Sequence, residues 1–319
     1  MSSTPALDAP SSTLDRIRDR WTWTAVVANL VGQIAIIVTG GAVRLTGSGL
    51  GCSTWPQCEP GQFTPQLHEA TSLHPFIEFG NRTVSFVLVV IALAVALLVT
   101  GDRRRPWSYR RLGIVPVVGV LLQAVIGGIT VLVDLNPAIV GSHLLISMAL
   151  VAFSTWLVVR TREGDAPAVT LVDRTTRSLV RVLVALTAVV LALGVLVTGA
   201  GPHSGDDEVG YRFGVDPWLM AKLHAASVWA FVAVLVAVLV LLRRRGVSGR
   251  PWTTALVLLG VTLGQGLIGY VQLFTGLPIG LVNLHMLGAA LLASTVTFFV
   301  GSLRTRATVP ANDRVPTAG

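Results

Sequence analysis

Long apolar runs alternate along the chain with short polar connections, and each run is about as long as a bilayer-spanning helix requires, roughly 20 residues at 1.5 Å rise. Eight such runs predict eight helices. They cover Thr24 to Val43, Ile77 to Val99, Leu112 to Val133, Ile139 to Val159, Leu179 to Val197, Trp218 to Leu242, Thr253 to Phe274 and Leu281 to Leu303. A mean hydropathy of +0.71, with 52% hydrophobic and 13% charged residues, places the chain in lipid rather than among soluble domains.

A net charge of +8 would fit a nucleic-acid partner if the basic residues formed one surface. They do not. All but four of the 24 (Arg44, Arg82, Arg212 and Lys222) fall in the two tails and the second, fourth and sixth connections, on one side of the eight spans. By the positive-inside rule both termini are cytoplasmic, and the basic surplus is a topology signal with no place for nucleic acid. The first 20 residues contain Asp8, Asp15 and Asp19 and no apolar core, so they resemble neither a secretory signal nor an organellar transit peptide. A multi-pass protein of the bacterial plasma membrane is expected. The two cysteines, Cys52 and Cys58, share the first outer connection, where an oxidising environment lets them pair.

The halves repeat. Gln123-Ala-Val-Ile-Gly127 matches Gln265-Gly-Leu-Ile-Gly269, each glutamine precedes a histidine (His143, His285) by the same distance, and a proline (Pro137, Pro278) interrupts each short connection. The first and fifth spans end alike in Val38-Thr39-Gly40 and Val197-Thr198-Gly199. The expected architecture is therefore an all-α integral membrane protein, its eight transmembrane helices forming two pseudo-symmetric four-helix bundles. An even number of spans per copy gives both copies the same orientation, related by an axis along the membrane normal. The expected divisions are a cytoplasmic tail over 1–22, bundles over 23–160 and 179–303, a cytoplasmic linker over 161–178 and a cytoplasmic tail over 304–319. Both tails read as disordered.

His143, His224 and His285 each lie within about two turns of the outer start of an even-numbered span. A lone histidine at a membrane interface is usually a satisfied polar group, but three at equivalent positions point to ligation. Imidazoles facing the interior of a four-helix bundle can hold heme iron, and His224 with His285 form such a pair in the second unit. In the first unit the position matching His224 is Asn81, a poor iron ligand. His74 lies seven residues earlier, before Pro75 at the helix start. Glu78 heads the same span and shares a helix face with Asn81 and Arg82. Two readings of Glu78 stand: an ion pair that fixes the helix end, or an acid or base beside a substrate. Arg44 and Arg82 are suited to gripping a propionate or to anchoring the helix ends at the interface.

These residues resemble the heme A synthase family. The likeness rests on Thr39-Gly-Gly-Ala-Val-Arg44-Leu-Thr-Gly-Ser-Gly-Leu-Gly-Cys52-Ser-Thr-Trp-Pro-Gln-Cys58, on Glu78-Phe-Gly-Asn-Arg82 and on His143, His224 and His285, and it extends from about Trp23 to Leu303. The resemblance implies an oxidoreductase that converts the C8 methyl group of heme O, by successive hydroxylation, to the formyl group of heme A for a terminal oxidase. It implies a heme b cofactor on His224 and His285, a heme O site around His143 and the second span, assistance from Glu78, and a Cys52–Cys58 disulfide. A heme O-producing farnesyltransferase and a membrane electron donor such as a quinol are the implied partners. Family members commonly carry histidine where this chain has Asn81, so either His74 takes over as second ligand or His143 holds the substrate alone. Two rival classes remain: a heme b electron-transfer cytochrome that oxidises quinol, and a parallel-repeat transporter, for which a midplane polar site is expected.

Overall fold

The computed structural model describes residues 13–66, 73–203, 205–206 and 211–307. Among them, eight helical stretches are long and apolar enough to cross a membrane. They are α1 (Thr13–Leu45), α2 (His74–Val95, continued by a π-helical segment Ala96–Thr100), a third span formed by the short α3 (Trp107–Arg110), a 3-10 turn (Arg111–Ile114) and α4 (Val115–Leu132), then α5 (Pro137–Arg162), α6 (Arg174–Ala200), α7 (Pro217–Arg244), α8 (Arg250–Phe274) and α9 (Ile279–Ser302).

Helix starts follow local chemistry. Proline occupies the first turn of α2, α4, α5, α7 and α8, where its missing N–H costs nothing. Asn136, Asp173 and Asp216 cap α5, α6 and α7 by accepting a hydrogen bond from the backbone N–H two or three residues on.

Several helices outrun their apolar cores at the arginine-rich end. The disorder expected of the tail over 1–22 gives way to helix from Thr13, where α1 begins. Its first turns carry charges that pair: Arg104 meets Asp19 at 2.7 Å and Asp102 at 2.8 Å, and Arg18 meets Asp15 at 3.5 Å. The expected linker shrinks likewise, since α5 continues to Arg162 and α6 begins at Arg174. Between them β1 (Val169–Thr170) pairs antiparallel with β2 (Arg304–Thr305), and Glu163 holds Arg160 at 2.7 Å and Arg304 at 3.1 Å. The expected tail from 304 thus starts as a strand. The disorder expected of both tails otherwise falls on 1–12 and 308–319, outside the described residues.

Each half closes as a ring of four helices, α1-α2-α4-α5 and α6-α7-α8-α9. The halves meet through α1 against α9 and α5 against α6, with α5 against α9 between them, the pairing that a two-fold axis between α5 and α9 produces. One buried apolar cluster lies wholly in the second half. Another crosses the boundary, joining Val26, Leu30 and Ile37 of α1 and Met148, Val151 and Leu157 of α5 to Ala290 and Ala293 of α9. Lipid offers little hydrophobic drive for helix association, so close approach and buried hydrogen bonds hold the seam. Gly41 meets Asn283 and Met286, Gly301 meets Val159, and Thr155 donates to Ser294 at 2.9 Å, while within the first half Asn29 Nδ2 donates to Ser154 Oγ at 2.9 Å.

Candidate functional site

Among the described residues, each half has a cavity near the end that carries the Cys52–Cys58 loop. The C-terminal cavity has a volume of about 390 Å³ and a mostly apolar wall, broken by His224 and His285 and by Thr262, Gln265 and Gln272. Their ring centres are 6.4 Å apart and their planes cross at 74°. Two imidazoles that bind one metal ion from opposite sides, with metal–nitrogen bonds of about 2 Å, hold their ring centres roughly 6 Å apart. His224 Nδ1 lies 3.1 Å from the carbonyl oxygen of Val190. That oxygen can only accept, so in the neutral ring Nδ1 carries the proton and Nε2 keeps a lone pair for a ligand. Gly194 and Gly269 clear the space beside the two rings, where a Cβ would stand 3.3 and 3.2 Å from the respective Cε1 atoms. His285 Nδ1 is buried with no hydrogen-bond partner. The donor set and its spacing fit a porphyrin held from both faces.

The N-terminal cavity, about 440 Å³, brings together His143, Asn81, Glu78, Arg82 and Arg44. The repeat noted in the sequence becomes a repeated hydrogen bond: Gln123 Nε2 donates to the His143 carbonyl and Gln265 Nε2 to the His285 carbonyl, each at 2.9 Å. Gly127 faces the His143 ring as Gly269 faces that of His285. Opposite, Asn81 stands where the second half has His224, and its Oδ1 accepts a 2.7 Å hydrogen bond from Thr39.

His74 does not join this group. It is absent from the cavity wall, and its Nδ1 lies 2.8 Å from Ser48 Oγ at the start of α2. Pro75 fixes the helix start there, so the freedom to lean inward that the sequence suggested is taken up by Ser48. Among the described residues His143 is the one imidazole lining the N-terminal cavity.

Glu78 is only 5% exposed and fully engaged. Oε1 accepts from Arg82 Nε at 3.1 Å and Nη2 at 2.5 Å, and Oε2 accepts from the Cys52 N–H at 2.7 Å. Arg82 also donates to the carbonyls of Thr54 and Gln57, each at 3.1 Å, and of Pro56 at 3.3 Å. This clamp ties the loop closed by the Cys52–Cys58 disulfide to α2 and sets Trp55 and Pro56 into the cavity wall. The Trp55 indole packs on Gly128, where any Cβ would come within 2.5 Å of it. The ion-pair reading of Glu78 is realised, and the same carboxylate still lines the cavity. Arg44 turns toward the other half: Nε donates to the His203 carbonyl and Nη2 to that of Thr198, both at 2.9 Å. It links the halves as Gly49 does through its 2.7 Å hydrogen bond to the Gly205 carbonyl.

Sequence reasoning missed the partition between the cavities. Leu144, Thr198 and Met286 line both, so the separating wall is one side chain thick. Leu144 and Met286 directly follow His143 and His285, and that shared position was the available signal.

A duplicated eight-helix membrane protein with imidazoles lining a cavity in each half is the class that this geometry defines. The family model for cytochrome oxidase assembly proteins matches residues 20–203, more than half of the chain. The chain therefore belongs to the heme A synthase family of cytochrome oxidase assembly proteins. It is 26% identical to a heme A synthase of Shewanella oneidensis, over 86% of this chain and 94% of that one. Heme A synthases of Bacillus mycoides (26% identical) and Bacillus cereus (25%) match over 93% of this chain and 97% of their own.

Proposed function

We propose that this protein oxidises the C8 methyl group of heme O to a formyl group, yielding heme A for a terminal oxidase, with its disulfide end on the outer face of a bacterial plasma membrane and both termini in the cytoplasm. The observation that carries the reading is the inequality of the two cavities: facing imidazoles 6.4 Å apart in one, a single imidazole opposite an asparagine in the other.

A resident cofactor should be gripped on both faces and a substrate should be able to leave. His224 and His285 would hold heme b, with the Val190 carbonyl fixing the His224 tautomer. When bound, heme b supplies one-electron transfer, and the chain sets its distance to the substrate through Leu144 and Met286. In the other half His143 would hold heme O from one side, its helix pinned by Gln123. Asn81, tied to Thr39, leaves the opposite face without a strong ligand. Glu78 is the proton-handling group at the wall; Arg82 and the Cys52 N–H fix its two oxygens so that little reorganisation accompanies charge development. Trp55 and Pro56 shield the reacting edge from water. Two successive hydroxylations balance with one dioxygen and two electrons each, the geminal diol then losing water to the aldehyde; the electron donor is a membrane quinol or a carrier of similar chemistry, and the farnesyltransferase that makes heme O is the expected neighbour in supply.

Expression in cells that supply heme O, followed by chromatography of the extracted hemes, tests the reading. Heme A in the wild-type extract supports it; heme O recovered unchanged beside heme b overturns it.

A further inference from the structure

Gln33 lies on α1 in the membrane interior, is 2% exposed, and its Nε2 is buried with no hydrogen-bond partner. It lines the N-terminal cavity. An unpaired amide in a low-dielectric wall costs stability unless something that enters the cavity satisfies it.

The second half carries no counterpart. Six residues before the shared Thr-Gly pair, α1 has Gln33 and α6 has Ala192. The α6 residues at that depth of the C-terminal cavity are Val190, Leu191, Gly194 and Val195. Four residues after the ligand histidine the contrast recurs, with Ser147 in α5 against Ala289 in α9. Gln123 and Gln265 both leave Oε1 unpartnered, so that feature is common to the halves and discriminates nothing. Gln272 also leaves Oε1 unpartnered in the C-terminal cavity, but it lies at the disulfide end of α8, so among the described residues an unpaired amide N–H deep in the wall belongs to the N-terminal cavity.

Depth decides what could meet it. Gln33 is eleven residues from Arg44 along α1, roughly 16 Å farther from the disulfide end. Porphyrin propionates are charged and stay at the polar end, because sinking them is costly. The opposite ring edge then points toward Gln33. On heme O that edge bears a hydroxyl-bearing isoprenoid arm, and on heme b a vinyl group stands in the same place. A hydroxyl both donates and accepts, so it suits an amide with no other partner.

We infer that Gln33 is the residue that recognises the hydroxyl of the substrate's isoprenoid arm and so separates heme O from heme b in the N-terminal cavity. This rests on the assignment of that cavity to heme O. A vinyl group leaves the amide unpaired, and a site built to hydrogen-bond a hydroxyl discriminates strongly against an analogue that lacks it. At the same depth the polar side chain of the C-terminal cavity is Thr262, whose hydroxyl already donates to the Leu258 carbonyl at 2.7 Å, so that wall has no such requirement and accepts heme b.

The test uses full-length protein whose C-terminal cavity is already filled with heme b. Its N-terminal cavity is titrated separately with heme O and with heme b, in wild type and in Gln33→Met, Gln33→Leu and Gln33→Ala. The C-terminal heme spectrum reports the fold, and the ratio is read from variants that retain it. Wild type should prefer heme O. In the variants that preference should fall by at least about tenfold through weaker heme O binding, with heme b binding unchanged or tighter. A ratio that stays at the wild-type value, or a loss equal for both porphyrins, overturns the assignment of Gln33 and leaves the heme O site standing. A wild-type N-terminal cavity that takes up neither porphyrin removes the heme O site itself, and Gln33 with it.

Discussion

The two halves share a plan and differ at residues that line their cavities. Both pin a histidine-bearing helix by a glutamine to the histidine's own carbonyl, and both clear the ring with glycine. The C-terminal half adds a facing histidine and a wall without charged side chains. The N-terminal half substitutes Asn81, introduces Gln33 and covers its cavity with a loop clamped by Glu78 and Arg82. Duplication supplies two similar frames, and under the proposed function a handful of side chains make one a permanent holder and the other a site of passage.

The comparison breaks most sharply if the histidine pair is removed. His224→Ala or His285→Ala should weaken retention of the resident heme by at least about 100-fold, seen as loss of the heme absorption band from purified protein. Glu78→Gln preserves shape but removes the charge opposite Arg82. Heme A formation should fall about 100-fold or more with heme O still bound, which a single-turnover assay on loaded protein would measure.

Asn81→His would make the N-terminal half resemble its partner. Retention of heme O should tighten by roughly tenfold or more and product release should slow, so that heme content per chain rises while turnover declines. The smallest effect tests the shared plan. Gln265→Leu removes one side-chain hydrogen bond, to the His285 carbonyl, and should cost about 1 kcal/mol in detergent unfolding, whereas Gln123→Leu also removes the bond to Ser147 and should cost more.

Most of this fold was legible because lipid imposes one rule, a run of apolar residues long enough to cross it. What sequence misjudged lies outside lipid: α1 starts at Thr13 because ion pairs around Arg104 support turns that hydropathy treats as tail. The pair His224 and His285 was legible from spacing against the repeat. His74 was not, since only the folded loop reveals Ser48 beside it. Trp55 on Gly128 is likewise a consequence of how the disulfide loop folds back. Gln33 breaks the repeat instead of following it, and a search for matching positions passes over such a residue.

The claim that the halves differ in what they hold is tested most directly by the hemes extracted from His143→Ala produced with a heme O supply. Heme b at the wild-type amount per chain, with no heme A, is the predicted result. Heme A formed without His143, or loss of the heme b as well, would contradict the division of labour between the two cavities.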